Sequence, residues 1–453
     1  MTNSKSTKRA FVSSALSLFV CIAMLIGTTF AWFTDTASTA VNKIQSGTLD
    51  VDIVDSNNKS LNGKTLSFRD FNGSENILWE PGATFNLDSF KIVNKGNLAL
   101  KYKVTINGVD GDAKLLEAID FTIKNGETKT PLAGWEGVLL PKGATPNQDS
   151  ETVESTDLIT ISGKMKEEAG NEYQGLSLEG IGITVVATQY TYENDSKDNQ
   201  YDQDAAYPVV ANDQSEVNDI ITNATDKTAT IALPTAKTIT LDNGIASEGD
   251  KSRDITFVGN GSQTVDVITN AVSAEGGQLN YQRGSSFTFQ NLTIQAGEGS
   301  YDGIVADELT YKNCTIKGKL TLYGKATFID CTFENNMDNQ YSIWTWGGTD
   351  VKFDGCTFNT NGKAILLYGQ ATEANPTNLI VNNCTFNDRK NGAAGKAAIE
   401  IGNDYNATYK LTVNKATVNG FADGKNTGSK LWANKNSMDA AHLTVTIDGS
   451  KVQ

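Results

Sequence analysis

Phe328-Ile329-Asp330-Cys331-Thr332-Phe333 returns twenty-five residues later as Phe353-Asp354-Gly355-Cys356-Thr357-Phe358. Looser copies read Phe289 to Ile294, Tyr311 to Ile316, Val381 to Phe386 and Val413 to Val418. The fourth positions, Leu292, Cys314, Cys331, Cys356, Cys384 and Ala416, are spaced by 22, 17, 25, 28 and 32 residues. A second unit precedes most copies: Leu320 to Gly324, Ile343 to Gly347, Ile365 to Gly369 and Ile399 to Gly402. Short strands separated by turns, at a period that drifts over this range, predict a parallel β-solenoid, because each coil tolerates an insertion at one turn. A propeller or leucine-rich repeat would hold its period more tightly.

The repeat gives the cysteines a place. At one position per coil, Cys314, Cys331, Cys356 and Cys384 form an inward column with Leu292 and Ala416. Strand stacking sets their spacing at about 4.8 Å. Leu, Cys and Ala exchange because free Cys behaves as a small hydrophobe. An even count in an exported chain also allows disulfides, but in-register stacking is poor geometry for them. Four free buried thiols are the expectation. In the second unit Tyr323, Trp346 and Tyr368 are equivalent, with Trp344 two residues before Trp346. If the flanking Leu and Ile face inward, alternation sends these rings outward on one face. Such a ladder is a platform for sugar rings; its structural alternative is packing beneath the long turns.

Outward from the repeat, the 453 residues carry a formal charge of −15, with 41 Gly and one histidine, His442. Many short Thr/Val/Ile/Phe runs between turns indicate an all-β chain. The acidic balance argues against nucleic acid and anionic membrane as partners. Asp213 to Glu216 has the form of a capping box, and Val217, Ile220 and Ile221 give a short helix an apolar face, so a capping helix opens the 215–453 domain. Residues 193–214 are polar, acidic and broken by Pro208, which suits a solvated linker. Asp198, Asp202 and Asp204 suggest a calcium loop only superficially, since the Gly and distal Glu that such a loop needs are missing.

Residues 47–192 read as strand after strand, with Leu49, Val51 and Ile53 expected on one face and Asp50 and Asp52 on the other. No long amphipathic run interrupts most of them, which predicts an antiparallel sandwich. At the start, Met1 to Arg9 is basic and Ala10 to Phe30 is uncharged. Thr29-Phe30-Ala31 fits small-x-small cleavage, which places the cut at Ala31–Trp32 and the signal peptide at 1–31. A retained membrane anchor is the alternative. Cleavage removes Lys5, Lys8 and Arg9 and no acid, taking the charge from −15 to −18.

Several landmarks occur together in residues 10–195: Gly27 to Asp35, Ser46 to Asp50, Glu80-Pro81-Gly82, Phe90 to Leu100, Glu172 to Gly175 and Ala187 to Tyr190. In this order they resemble the TasA/camelysin family of exported bacterial proteins. The resemblance implies a jelly-roll-like sandwich, processing by a dedicated signal peptidase, fibres in the biofilm matrix, and a mature N-terminal segment that adds to the next subunit as a donor strand. Residues 32–46 fit that role as an extended segment, apolar at Trp32, Phe33, Ala37, Ala40, Val41 and Ile44, although the spacing is not a clean period of two. A flexible tail left by processing is the alternative. Residues from about 225 to 453 resemble right-handed parallel β-helices of the pectate-lyase-like type.

Catalytic residues do not stand out. Some TasA/camelysin members carry a metallopeptidase label, but the chain has no His-Glu-x-x-His and His442 lies outside that region, so a His-ligated zinc site is excluded there. Asp330 and Asp354 fall one position apart in the repeat, Glu400 stands alone in the second unit, and Arg253, Arg283 and Arg389 are scattered. No cofactor or metal is expected. The expected protein is all-β, a sandwich followed by a solenoid, secreted to the matrix or cell surface of a bacterium. Its expected partners are copies of itself and a polysaccharide, with a membrane engaged only through an uncleaved leader. The role is structural; the alternative is a matrix-tethered polysaccharide lyase or hydrolase, with a metallopeptidase ranked last.

Overall fold

The computed structural model describes residues 49–61, 64, 66–69, 78–108, 113–141, 154–176, 181–190, 206–223, 228–234, 236–241, 253–267, 279–280, 285–297, 303–338, 340–369, 374–402 and 407–453. The leader, the Ala31–Trp32 cut and the Trp32 to Ile44 segment lie outside the described residues, and residues 49–453 form one compact unit. The chain is all-β, as expected.

The first part is antiparallel. Its strands are β1 (Val51–Val54), β2 (Phe68–Arg69), β3 (Thr84–Leu87), β4 (Lys91–Asn94), β5 (Leu100–Gly108), β6 (Ile119–Asn125), β7 (Thr128–Pro131), β8 (Glu136–Leu139), β9 (Ile159–Met165) and β10 (Ile181–Gln189). Among the described residues they pair in the orders β1-β4, β10-β5-β8 and β2-β3-β9-β6-β7. Phe90, Ile92, Leu100, Tyr102, Ile123 and Ile161 from these sheets share one core, the arrangement of a sandwich. β1 keeps the expected alternation, and the buried face is the one that carries Asp52. Asp52 is 3% exposed and Val54 is buried, whereas Val51 and Ile53 are only partly covered. Burial of the Asp52 carboxylate is offset by a hydrogen bond from Ser60 Oγ (2.8 Å) and an ion pair with Lys95, both from neighbouring turns that alternation cannot see.

The second part is the solenoid. Its longest sheet has 11 strands among the described residues, beginning with β11 (Val209–Val210), which lies inside the 193–214 stretch read as linker. Between β11 and the next strand, Thr228–Ala232, runs α1 (Gln214–Asn223). Asp213 Oδ1 accepts the Glu216 N–H (2.9 Å), Glu216 accepts from Asn212 N–H (2.7 Å), and Val217 and Ile221 are buried. Arg253, 9% exposed, donates to the Ile221 and Thr222 carbonyls and so closes the other end of α1. A second parallel sheet has eight strands and a third has five, the latter running Leu320–Leu322, Ile343–Thr345, Ile365–Leu367, Ile399–Ile401 and Trp432–Asn434. The long sheet ends where Ser450–Lys451 folds back antiparallel onto Leu443–Ile447.

Between the long sheet and the second sheet, each coil turns at one left-handed residue: Asn291, Asn313, Asp330, Gly355, Asn383, Lys415. Asn and Asp tolerate this conformation best among residues with a side chain, and Asn313 Nδ2 donates to Asn291 Oδ1 (2.7 Å) one coil away. The next residue points inward, which produces the cysteine column. Cys314, Cys331, Cys356 and Cys384 are free and 1–2% exposed. Their thiols donate to backbone carbonyls, as Cys314 does to Phe289 O (3.4 Å). Alongside runs a second column, Phe257, Phe289, Tyr311, Phe328 and Phe353, whose rings stack at 5.5, 5.1, 4.6 and 4.9 Å.

Tyr311 breaks the pattern, because its hydroxyl is buried without a hydrogen-bond partner and burial raises its pKa. Removing an unsatisfied buried hydroxyl recovers its desolvation cost. Tyr311→Phe is therefore expected to raise stability by about 1 kcal/mol. Urea unfolding checks this; a less stable variant would mean the hydroxyl is satisfied.

Candidate functional site

The third sheet carries the residues of interest. Leu320, Ile343, Ile365 and Ile399 are in register and fully buried in the core. Alternation turns the next position to the other side of the sheet, giving the column Thr321, Trp344, Leu366, Glu400 and Ala433, which is itself covered: all but Trp344 are buried. After one more inward position comes a second column on that side. The ladder bonds Trp346 N to Leu322 O (2.9 Å), Gly402 N to Leu367 O (3.0 Å) and Lys435 N to Ile401 O (2.9 Å) align it as Tyr323, Trp346, Tyr368, Gly402 and Lys435.

Tyr323, Trp344, Trp346 and Tyr368 are all half-buried on this face. Trp346 and Tyr368 stack, with centroids 5.6 Å apart and planes 30° from parallel. Trp344 meets Tyr368 edge-on at 4.9 Å. The tight exits from these strands need glycine: Gly369 has φ +102°, and a Cβ there would lie 2.7 Å from Gly347 N. Trp344, Trp346 and Tyr368 therefore form one packed cluster of rings, with Tyr323 in the same column one strand away.

Beside these rings lie charges that the sequence reading missed. Lys319 is fully buried, with its ammonium 4.0 Å above the Trp344 ring, a cation–π contact in a desolvated position. Glu400, 2% exposed, accepts the Ala397 N–H (3.2 Å) and faces Lys396 Nζ at 3.7 Å. Lys363 sits over the Tyr341 ring at 5.6 Å. Burial raises the Tyr341 pKa, and Glu400 adds to the effect. Lys435 has its pKa lowered, first by desolvation; Glu400 opposes the shift, and Lys396, Lys363 and Lys425 reinforce it. One carboxylate is thus surrounded by several ammonium groups. Most of these lysines come from turns of unequal length and show no periodic signal. Lys435 did carry one, since Trp432-Ala433-Asn434-Lys435 continues the second unit with a cation in the aromatic position.

Other candidate residues fall elsewhere. Asp330 and Asp354 are neighbours at the long-sheet corner, where Asp330 N bonds Asp354 O (2.8 Å) and burial raises the Asp330 pKa, with Asp354 contributing. Asp354 is paired with Lys352 (3.1 Å). Arg389 pairs with Glu334 on the second sheet, in an outward ladder continued by Asn359, Asn387 and Asn419. Arg283 lies outside the described residues. Among the described residues no group of three or more His, Cys, Asp or Glu could hold a metal ion.

Residues 281–445 match the family described as "Right handed beta helix region", in agreement with the parallel sheets. No curated protein matches the chain. Among solved structures, a pectin methylesterase in complex with a hexasaccharide aligns at 12% identity over 54% of this chain and 90% of that one, with a TM-score of 0.28. The catalytic domain of a GH87 α-1,3-glucanase in complex with nigerose aligns at 10% identity over 82% and 91%, with a TM-score of 0.17. Scores this low say nothing about what this chain binds.

Glu400→Gln would keep the shape and the bond from Ala397 while removing the charge that faces Lys396. The expected loss is about 1–2 kcal/mol, below the value for a fully buried pair because Lys396 keeps a third of its side chain in solvent. Thermal unfolding of the variant measures it; no loss would show that the buried carboxylate is not held by its lysines. The domain containing the site is a right-handed parallel β-helix.

Proposed function

We propose that the protein is an exported structural component of a bacterial matrix or cell surface whose β-helix binds glycans. The observation that carries the binding reading is the shelf of Tyr323, Trp344, Trp346 and Tyr368, half-buried and aligned along the solenoid axis. Rings repeated at the strand spacing suit the apolar faces of successive sugars along one polymer. The four rings keep part of their surface in solvent.

The assembly half of the reading rests on the TasA/camelysin-like landmarks and on an open strand. Among the described residues β10 has one paired neighbour, β5, and an unpaired edge is where an extended segment adds. Beside β10 lies a cavity of about 680 Å³, walled on one side by Val51, Ile53, Ile183 and Val185 and on the other by solenoid residues such as Thr230, Thr256 and Gln290. In this reading Trp32 to Ile44 of one copy occupies an edge of the next, and signal cleavage at Ala31–Trp32 releases it. The alternative, a polysaccharide lyase or hydrolase, would require Glu400 to act with a second group on the same face; hydrolysis by paired carboxylates needs two of them within about 5–9.5 Å.

Two experiments test these halves separately. In a glycan-array retention assay, Trp346→Ala with Tyr368→Ala is expected to weaken binding roughly tenfold or more while the fold is kept. Unchanged retention would sink the shelf as a binding surface. In electron microscopy the mature chain is expected to give fibres and a version lacking Trp32 to Ala40 only monomers. Monomers from both would refute donor-strand assembly, and release of reducing or unsaturated sugars by either would overturn the non-catalytic reading.

A further inference from the structure

We propose that Cys314 and Cys331, with the Tyr311 hydroxyl beside them, form an interior two-coordinate site for a soft monovalent cation such as Cu(I).

Spacing is the first argument. Thr315 pairs with Thr332, and Thr332 N bonds Cys314 O (2.9 Å), so the residues just before them, Cys314 and Cys331, stand in register on successive coils. Identical side chains in register lie one strand spacing apart, about 4.8 Å. That exceeds the Cβ separation of about 3.5–4.5 Å that a disulfide needs, and all four column thiols are free. Two metal–sulfur bonds of about 2.3 Å set in line span about 4.6 Å. Thiolate is also a ligand that selects Cu(I). Linear coordination uses two donors, so it does not call for the larger cluster that is lacking among the described residues.

The make-up of the column is the second argument. Leu292 and Ala416 fill the same position at its two ends, so packing does not demand sulfur there, yet the four coils between carry it without a break. Tyr311 is the third. It is fully buried, its hydroxyl has no hydrogen-bond partner, and it lies within electrostatic reach of Cys314 and Cys331. Loading breaks two S–H bonds, forms two S–Cu bonds and releases two protons, with no change of oxidation state. Two thiolates around one monovalent ion carry a single negative charge, and a hydroxyl donor in an apolar core meets it. The Cys331 thiol already acts on Cys314, whose pKa it lowers. The column also holds its own contrast. Cys356 and Cys384 repeat the spacing, but Phe353 and Val381 stand where Tyr311 and Phe328 do, so that pair has no hydroxyl.

The test titrates the whole folded chain with Cu(I) against a chromogenic Cu(I) chelator, without oxygen. The chain carries Cys21→Ala, so that only the thiols of the column remain. One ion is expected to bind tightly and to raise the unfolding temperature. Because both thiols are buried, uptake is expected to be slow in the native chain and fast when the chain refolds with the metal present. Cys314→Ala and Cys331→Ala should each abolish the tight site, and Ala416 shows that the column accommodates alanine. Cys384→Ala should leave the site intact. Tyr311→Phe should weaken Cu(I) binding roughly tenfold, even as it stabilises the metal-free chain. No uptake by either route overturns the proposal, as does binding no tighter in the folded chain than in urea. Tight binding that survives Cys314→Ala, or that Tyr311→Phe leaves unmoved, overturns it too: the ion would then sit elsewhere, or without the hydroxyl.

Discussion

The solenoid depends on a left-handed residue at one corner of every coil. At Asn291, Asn313, Asp330, Asn383 and Lys415 a residue with a side chain adopts positive φ, at roughly 1–2 kcal/mol each. The bend turns the chain sharply enough for residues on both sides to face the same interior. The aromatic column lies on one side and the cysteine column follows immediately after it. Because every coil bends at the same place, backbone ladders close in register and identical side chains fall above one another. Phe333, Phe358 and Phe386 stack at 4.2 and 4.8 Å, the spacing that strand pairing imposes. The strain is local and repeated, and the core it creates is continuous.

That constraint explains why the drifting period does no harm. From Ser286 onward the corner is two residues long in every coil, against five in the two coils before it, while the coil length changes in the turns flanking the third sheet. Variable loops gathered there surround the shelf, so the most regular part of the molecule supports its least regular part. Binding surfaces on rigid scaffolds are commonly built this way, since loops can change without disturbing the ladder beneath them.

The same division decides what the sequence could reveal. The Phe-x-x-Cys-Thr-Phe copies, the capping helix with Val217 and Ile221, and the aromatic positions after each third-sheet strand were legible because each is local or strictly periodic. The two faces of β1 were legible, but not which one is buried: Asp52 lies inside because Ser60 and Lys95 meet its carboxylate there. The lysines around Glu400 were not legible because Lys363, Lys396 and Lys425 come from turns of different lengths and share no common offset. Lys435 could have been found by extending the second unit one copy further, past an insertion that hid it. Two of the scattered arginines have structural partners, Arg253 at the end of α1 and Arg389 on an outward ladder.

The last two residues of strand in the chain have a consequence for growth. Ser450–Lys451 reverses direction and pairs antiparallel with Thr446 and Ile447, so part of the edge that a further coil would use is taken by the chain itself. At the opposite end, two-residue β11 leads directly into α1. A stack of parallel coils is in principle extensible without limit, one molecule templating the next, as in amyloid. The long sheet spans about 43 Å from its first to its last parallel strand. The third sheet likewise has five rungs among the described residues, a number set by the fold.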